Sequence, residues 1–205
     1  MLWETALALS RAAPAVKPLS PLLFVTDPDR APEPWRAAAR LPRGAGVVFR
    51  AFGAADAVVQ ARRLRSVCEE RGLRLLIGRD DALALACGAD GLHLPTADLA
   101  RGPALRAAHP DWVLTGAAHS AADLQAAEAA GLDAVLLSPV FPSASPSAGE
   151  PLGLERFETL AGSARLPVYA LGGVDAATAP RLLGGRASGI AGVEGVLKAF
   201  GMDGR

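Results

Sequence analysis

The residues of this chain that are suited to chemistry fall at or just past the ends of short apolar runs. They are Thr26, Arg50, Arg79, Asp80, His93, Asp98, His119, Ser138, Ser143, Ser145, Gly172, Gly173 and Glu194. Arginines hold phosphate and diphosphate oxygens through charge-assisted hydrogen bonds. Histidine titrates near neutrality and suits proton transfer. Asp80 and Asp98 offer oxygen donors of the kind a hard divalent cation takes. The pair Gly172-Gly173 joins an apolar strand to the next helix. Its bare backbone N–H groups can seat a phosphate, or the glycines can simply make a tight turn. The chain has no Gly-x-Ser-x-Gly, His-Glu-x-x-His or Walker loop.

Each of these residues has a plain structural reading beside the chemical one. His119 is either a proton-transfer group or a loop histidine capping the following helix. His93 reads more readily as a barrel histidine than as a base, and His109 as a surface residue. Asp98 is a metal ligand or a helix N-cap. Arg50 binds an anion or forms an internal ion pair. Ser143 and Ser145 contact substrate or form a turn. Glu194 favours a helix start by its charge or acts as an acid–base group at the site.

The elements that must position these residues alternate along the chain. Strands are expected at Leu22–Thr26, Gly46–Arg50, Leu73–Ile77, Gly91–Leu94, Trp112–Gly116, Asp133–Ser138, Val168–Leu171 and Ser188–Gly192. Helices are expected at 1–12, 33–40, 54–71, 82–87, 98–108, 120–130, 154–162, after Asp175 and at 194–200. Val58, Val59, Leu64 and Val67 should form the apolar face of the long helix. Residues 139–153 form a polar loop with four prolines. One junction recurs: a helix end, a glycine, one residue, then a strand. It appears at Gly88-Ala-Asp-Gly-Leu-His, Gly131-Leu-Asp-Ala-Val-Leu and Gly184-Gly-Arg-Ala-Ser-Gly-Ile, and glycine suits the left-handed position after a helix. Short, continuous apolar strands belong in a parallel sheet buried on both faces. Eight such units predict an α/β protein, a (β/α)8 TIM barrel over 22–205, preceded by an N-terminal helix and linker over 1–21. Strand C-termini line the mouth of such a barrel, so the residues named above should meet there.

The chain has 205 residues, enough for one domain with a substantial core. Lys+Arg and Asp+Glu are equal at 21 each, so no basic surplus points to nucleic acid or a membrane surface. No apolar run approaches the roughly 20 residues a bilayer span needs. Residues 1–11 lack the positive start of a secretory signal, and a cytoplasmic protein is expected. Cys68 and Cys87 lack metal-ligand spacing and read as reduced core thiols.

Five segments resemble the family of thiamine phosphate synthase and its relative TenI, the thiazole tautomerase. They are Val25-Thr26-Asp27, Gly88-Ala-Asp-Gly-Leu-His-Leu94 with Asp98, Gly116 to Ser120, Ser138-Pro-Val-Phe-Pro-Ser-Ala-Ser145 and Ala170-Leu-Gly-Gly-Val174. The resemblance spans about 22–198. It implies coupling of an aminopyrimidine diphosphate to a thiazole phosphate, with release of pyrophosphate to Mg2+. It also implies small phosphorylated substrates, with no nucleic acid or membrane partner, and is compatible with a homo-oligomer. Arg50 and Arg79 would face the diphosphate, with Arg50 acting in catalysis. Gly172, Gly173, Val193 and Glu194 would face the thiazole phosphate, with Ser143 and Ser145 nearby. Asp98 would hold the metal. The second metal carboxylate falls on Arg79 without a gap, or on Asp80 with a one-residue slip. His119 matches the TenI proton-transfer histidine, so a metal-independent tautomerase is the alternative. A diverged barrel that binds a ligand without turnover is the other. The family's Gln-x-Arg-x-Lys reads Val48-Phe49-Arg50-Ala51-Phe52 here, its loop lysine is Pro146, and its Val-Ser is Val193-Glu194.

Overall fold

Alternation along each strand sorts the apolar residues into two cores. In the computed structural model, which describes residues 1–13, 17–143 and 149–201, Leu23 and Val25 turn inward with Val48, Leu76, Leu136 and Tyr169. Their neighbours Leu22 and Phe24 turn outward with Val47, Phe49, Leu75 and Ile77, against the helices. The period of two follows from strand geometry. The strands are β1 Leu22–Val25, β2 Gly46–Phe49, β3 Arg74–Gly78, β4 Gly91–Leu94, β5 Val113–Ala118, β6 Ala134–Leu137, β7 Val168–Ala170 and β8 Gly189–Gly192. All pair in parallel and in sequence order, and β8 pairs back to β1 to close the barrel. The (β/α)8 expectation holds.

The helices are α1 Leu2–Ala12, α2 Pro34–Ala38, α3 Ala57–Arg71, α4 Asp81–Cys87, α5 Gly102–Ala108, α6 Ala121–Ala129, α7 Gly153–Ser163 and α8 Glu194–Ala199. Leu2, Ala6 and Leu9 bury one face of α1, which packs beside β1 and β8. No helix among the described residues is long and apolar enough to cross a membrane. Burial pushes the Cys68 thiol up to about 12 and raises that of Cys87, so neither is a ready nucleophile.

The recurring junction is a fastening at the N-terminal end of the barrel. Asp90 donates its N–H to Leu75 O at 2.8 Å and accepts the N–H of Leu75 on Oδ2 at 2.7 Å. Asp133 does the same to Leu114, at 2.7 and 2.8 Å. Ser188 repeats the pattern on Val168, at 2.7 and 3.3 Å. Arg65 neutralises Asp90 at 2.9 Å, and Arg106 neutralises Asp133 at 2.7 Å. Each junction thus ties its strand to the one before it.

The structure departs from the sequence reading in three elements. The buried stripe of α3 is Ala61, Leu64 and Cys68, at helical spacing. Val58 and Val59 are exposed. The helix expected at 98–108 is a 3-10 segment, Thr96–Arg101, followed by α5, with Pro103 in the first turn of the latter. Between β7 and β8 there is no α-helix. Asp175 accepts the N–H groups of Ala177 and Thr178, as an N-cap would. The turn it opens is only the 3-10 segment Ala179–Leu182. Pro180 lacks the N–H that would continue the ladder, and two glycines follow at Gly184-Gly185.

Candidate active site

Arg50 follows β2 and is fixed by the end of β1. Its N–H donates to Thr26 Oγ1 at 2.9 Å, and its Nε donates to Thr26 O at 2.7 Å. Asp27 Oδ2 lies 3.6 Å from a terminal nitrogen, and the guanidinium sits 5.0 Å from the centre of the Phe52 ring. Burial lowers the Arg50 pKa from its ordinary value; Asp27 opposes this and Arg30 adds to it. A partly desolvated cation at the end of a strand favours an anion. Arg30, on the loop after β1, acts on Arg50 and also on Glu194. In the sequence Arg30 ends the run Asp27-Pro-Asp-Arg30, where no motif marks it out.

Arg79 and Asp98 meet on the neighbouring side. Arg79 Nε is 2.8 Å from Asp98 Oδ2, and Arg101 approaches the same oxygen at 3.7 Å. Asp80 points elsewhere: its Oδ1 accepts the Leu83 N–H at 2.8 Å and caps α4. The one-residue slip that would make Asp80 a metal ligand therefore moves a capping residue. No group of three His, Cys, Asp or Glu able to hold a metal ion occurs among the described residues. The expected pair of Asp98 and Asp80 is not assembled. Asp98 Oδ2 is buried without a hydrogen-bond partner beside the Arg79 and Arg101 guanidinium groups, and Asp80 is taken by backbone; one carboxylate between two fixed cations is a donor set that does not fit Mg2+.

His119 follows β5. Its Nδ1 lies 2.8 Å from the Ser138 carbonyl oxygen and 3.4 Å from Ser138 Oγ. A carbonyl can only accept, so Nδ1 carries the proton and Nε2 is the basic nitrogen. His119 does not cap α6. Ser120 does, accepting from the Asp123 N–H at 3.2 Å, and Asp123 reaches back to the His119 N–H at 2.8 Å. His93, on β4, has its Nδ1 3.0 Å from Thr115 Oγ1. Burial, with the charge of Arg50 second, pushes its pKa down to about 4. The shift favours its neutral form.

Gly172 and Gly173 have φ of 91° and 65°. A Cβ on Gly172 would lie 2.7 Å from Pro139 Cα, and one on Gly173 would lie 2.4 Å from Pro142 O. The loop after β6 lies directly on this turn. Val140 N–H donates to Leu171 O at 2.9 Å, and Phe141 N–H to Gly172 O at 3.0 Å. The pair is needed for close packing, whatever else it seats. Val193 precedes α8, and Glu194 opens it. Lys198 pairs with Glu194 at 2.8 Å, and that hydrogen bond lowers the Glu194 pKa. The carboxylate is turned along its own helix and neutralised there. Ser143 ends the described part of the loop; Ser145 and Pro146 lie outside the described residues.

The closed barrel brings these positions to one rim. Arg30, Arg50 and Glu194 stand on the β8-β1-β2 side, Arg79 and Asp98 beyond β3 and β4, and His119 beside Ser138 across β5 and β6. The sequence profile described as thiamine monophosphate synthase (TMP-TENI) matches residues 22–196. A thiamine biosynthesis bifunctional protein ThiM/ThiE of Symbiobacterium thermophilum is 36% identical over 140 residues, covering 68% of this chain and 29% of that protein. A putative thiamine-phosphate synthase of Geobacter sulfurreducens is 33% identical over 138 residues, covering 67% of this chain and 65% of that one. The chain thus spans less than two thirds of either relative. A thiamine phosphate pyrophosphorylase from Pyrococcus furiosus superposes with a TM-score of 0.73 at 24% identity, over 87% of this chain and 91% of that chain. At that identity the likeness speaks for the fold alone.

Proposed function

This chain belongs to the thiamine monophosphate synthase family, and on that premise we propose that it is a transferase of the thiamine-phosphate synthase type. The substrates are an aminopyrimidine diphosphate and a thiazole phosphate. The C–O bond of the pyrimidine methylene breaks and its electron pair leaves with pyrophosphate. The thiazole nitrogen forms the new C–N bond and carries the positive charge of the product. Negative charge gathers on the departing pyrophosphate, so fixed cations aimed at it lower the barrier. Arg50 carries this reading: it is partly desolvated and held by two hydrogen bonds to Thr26. Arg79 is the second cation on that anion. The Gly172-Gly173 turn and the Val193-Glu194 step face the thiazole phosphate with backbone N–H groups, and Ser143 borders the substrate. Purified protein given both substrates should release thiamine phosphate and pyrophosphate, measured by chromatography and mass spectrometry. Absence of both products would overturn the proposal.

A second reading rests on His119. The Ser138 carbonyl fixes its tautomer and leaves Nε2 as a base. That is the arrangement a TenI-like isomerisation of a thiazole carboxylate phosphate needs, with no metal. Isomerisation by the wild type, lost in His119→Ala, supports it; an active alanine variant ends it.

A further inference from the structure

We propose that Arg79 is a resident cation in the place of a divalent metal ion, so that this protein binds its pyrophosphate-type anion without metal. The identity of the anion rests on the transferase reading; the geometry does not. Asp98 is the most buried carboxylate of the rim, with its side chain 16% exposed. Its Oδ2 faces two guanidinium groups, Arg79 Nε at 2.8 Å and Arg101 at 3.7 Å. That oxygen is buried without a hydrogen bond, and a dication entering there would meet two fixed positive charges against one carboxylate. The neighbouring carboxylates are committed elsewhere. Asp80 caps α4, and Asp81 accepts from Arg101 at 2.7 Å.

The backbone of Arg79 is built to hold the side chain where it is. Its φ is 69°, a left-handed conformation that a side-chain-bearing residue rarely takes. Its N–H donates to His93 O at 2.9 Å, and its carbonyl accepts from Arg101 at 2.8 Å. The guanidinium Nε forms an ion pair with Asp98 Oδ2 at 2.8 Å, without hydrogen-bond alignment. The side chain as a whole is 73% exposed. A guanidinium paired with a carboxylate and open to solvent can still offer a planar fork, the geometry that pairs with two phosphate oxygens.

The test is binding of inorganic pyrophosphate by calorimetry, in EDTA and then in Mg2+, with the full chain. Binding in EDTA is expected, with Mg2+ improving it less than about twofold. Arg79→Gly keeps the left-handed backbone without a side chain, so it should fold, and it should weaken pyrophosphate about tenfold or more. Arg79→Asp sets a second carboxylate beside Asp98 and should create a Mn2+ site visible by electron paramagnetic resonance, which the wild type lacks. The proposal is overturned if pyrophosphate binds only with Mg2+ or not at all, if Arg79→Gly binds it as the wild type does, or if the wild type takes up Mn2+ stoichiometrically. Its failure is separable from that of the transferase reading. Product formed only with Mg2+ keeps the transferase and removes this proposal. Pyrophosphate bound in EDTA through Arg79, with no product formed, does the reverse.

Discussion

His119 Nδ1 sits 2.8 Å from the carbonyl oxygen of Ser138, and this one contact decides which nitrogen of the ring is basic. The isomerase reading makes a definite demand on it. His119→Ala should cost about 100-fold or more in isomerisation of a thiazole carboxylate phosphate, the range of general acid–base catalysis. The pyrophosphate affinity of the same variant should stay within about twofold of wild type. Proton NMR of the isomerisation and calorimetry of the anion make the comparison.

Arg50 should be intolerant of lysine. A lysine ammonium can keep the charge but cannot supply Nε to Thr26 O while also presenting a fork to an anion. Arg50→Lys should lower kcat/KM for the diphosphate substrate about 10- to 100-fold, with an unchanged circular dichroism spectrum. Thr26→Val removes the hydroxyl that accepts the Arg50 N–H and should move kcat/KM the same way by less. Wild-type rates in Arg50→Lys would remove Arg50 from the mechanism.

His93 gives stability a pH dependence with a known sign. Its folded-state pKa, about 4, lies below its ordinary value of 6.5, so between the two the unfolded chain binds more protons. This contribution is complete above about pH 6.5 and is lost as pH falls toward 4. The full difference corresponds to about 3 kcal/mol. Urea unfolding of wild type and His93→Gln from pH 4 to 8 should show the extra slope in the wild type only. Parallel curves would refute it.

Substitution of Gly173 by alanine tests the turn under the loop. The new Cβ would fall 2.4 Å from Pro142 O, on a backbone with φ of 65°. Strain and overpacking together should cost about 2 kcal/mol or more. Thermal melts should show the loss, and a neutral Gly173→Ala would mean the loop can lift away at little cost.

Asp133 should matter to stability alone. Its Oδ2 meets Arg106 at 2.7 Å and the Leu114 N–H at 2.8 Å, at the end of the barrel away from the rim. Asp133→Ala leaves the Leu114 N–H and Arg106 Nη2 without that acceptor, while Arg106 Nη1 keeps Trp112 O at 2.7 Å, and should cost about 2–3 kcal/mol in urea unfolding. Pyrophosphate affinity of the folded fraction should be unchanged.

The barrel was legible because its signals are local and repeated. The glycine junction marks where strands begin, and doubly buried strands have no other home than a parallel sheet. Missed features depended on partners distant in sequence. Val58 and Val59 look like a core face until Ala61 and Cys68 take the packing. A carboxylate at Asp80 looks like a ligand until the Leu83 N–H claims it. Arg30 shows its place only once the closed barrel sets it near Arg50 and Glu194. The Gly172-Gly173 pair could seat a phosphate on sequence grounds; that Pro139 and Pro142 also press on it required the fold.

Asp90, Asp133 and Ser188 each clasp the preceding strand at the end opposite the candidate chemistry. Durability and reactivity therefore reside at different poles of one cylinder. Side chains can be exchanged at one pole while the clasps at the other go on holding the staves. For anyone wishing to install a different reaction here, the rim is the part to rewrite and the base is the part to leave alone.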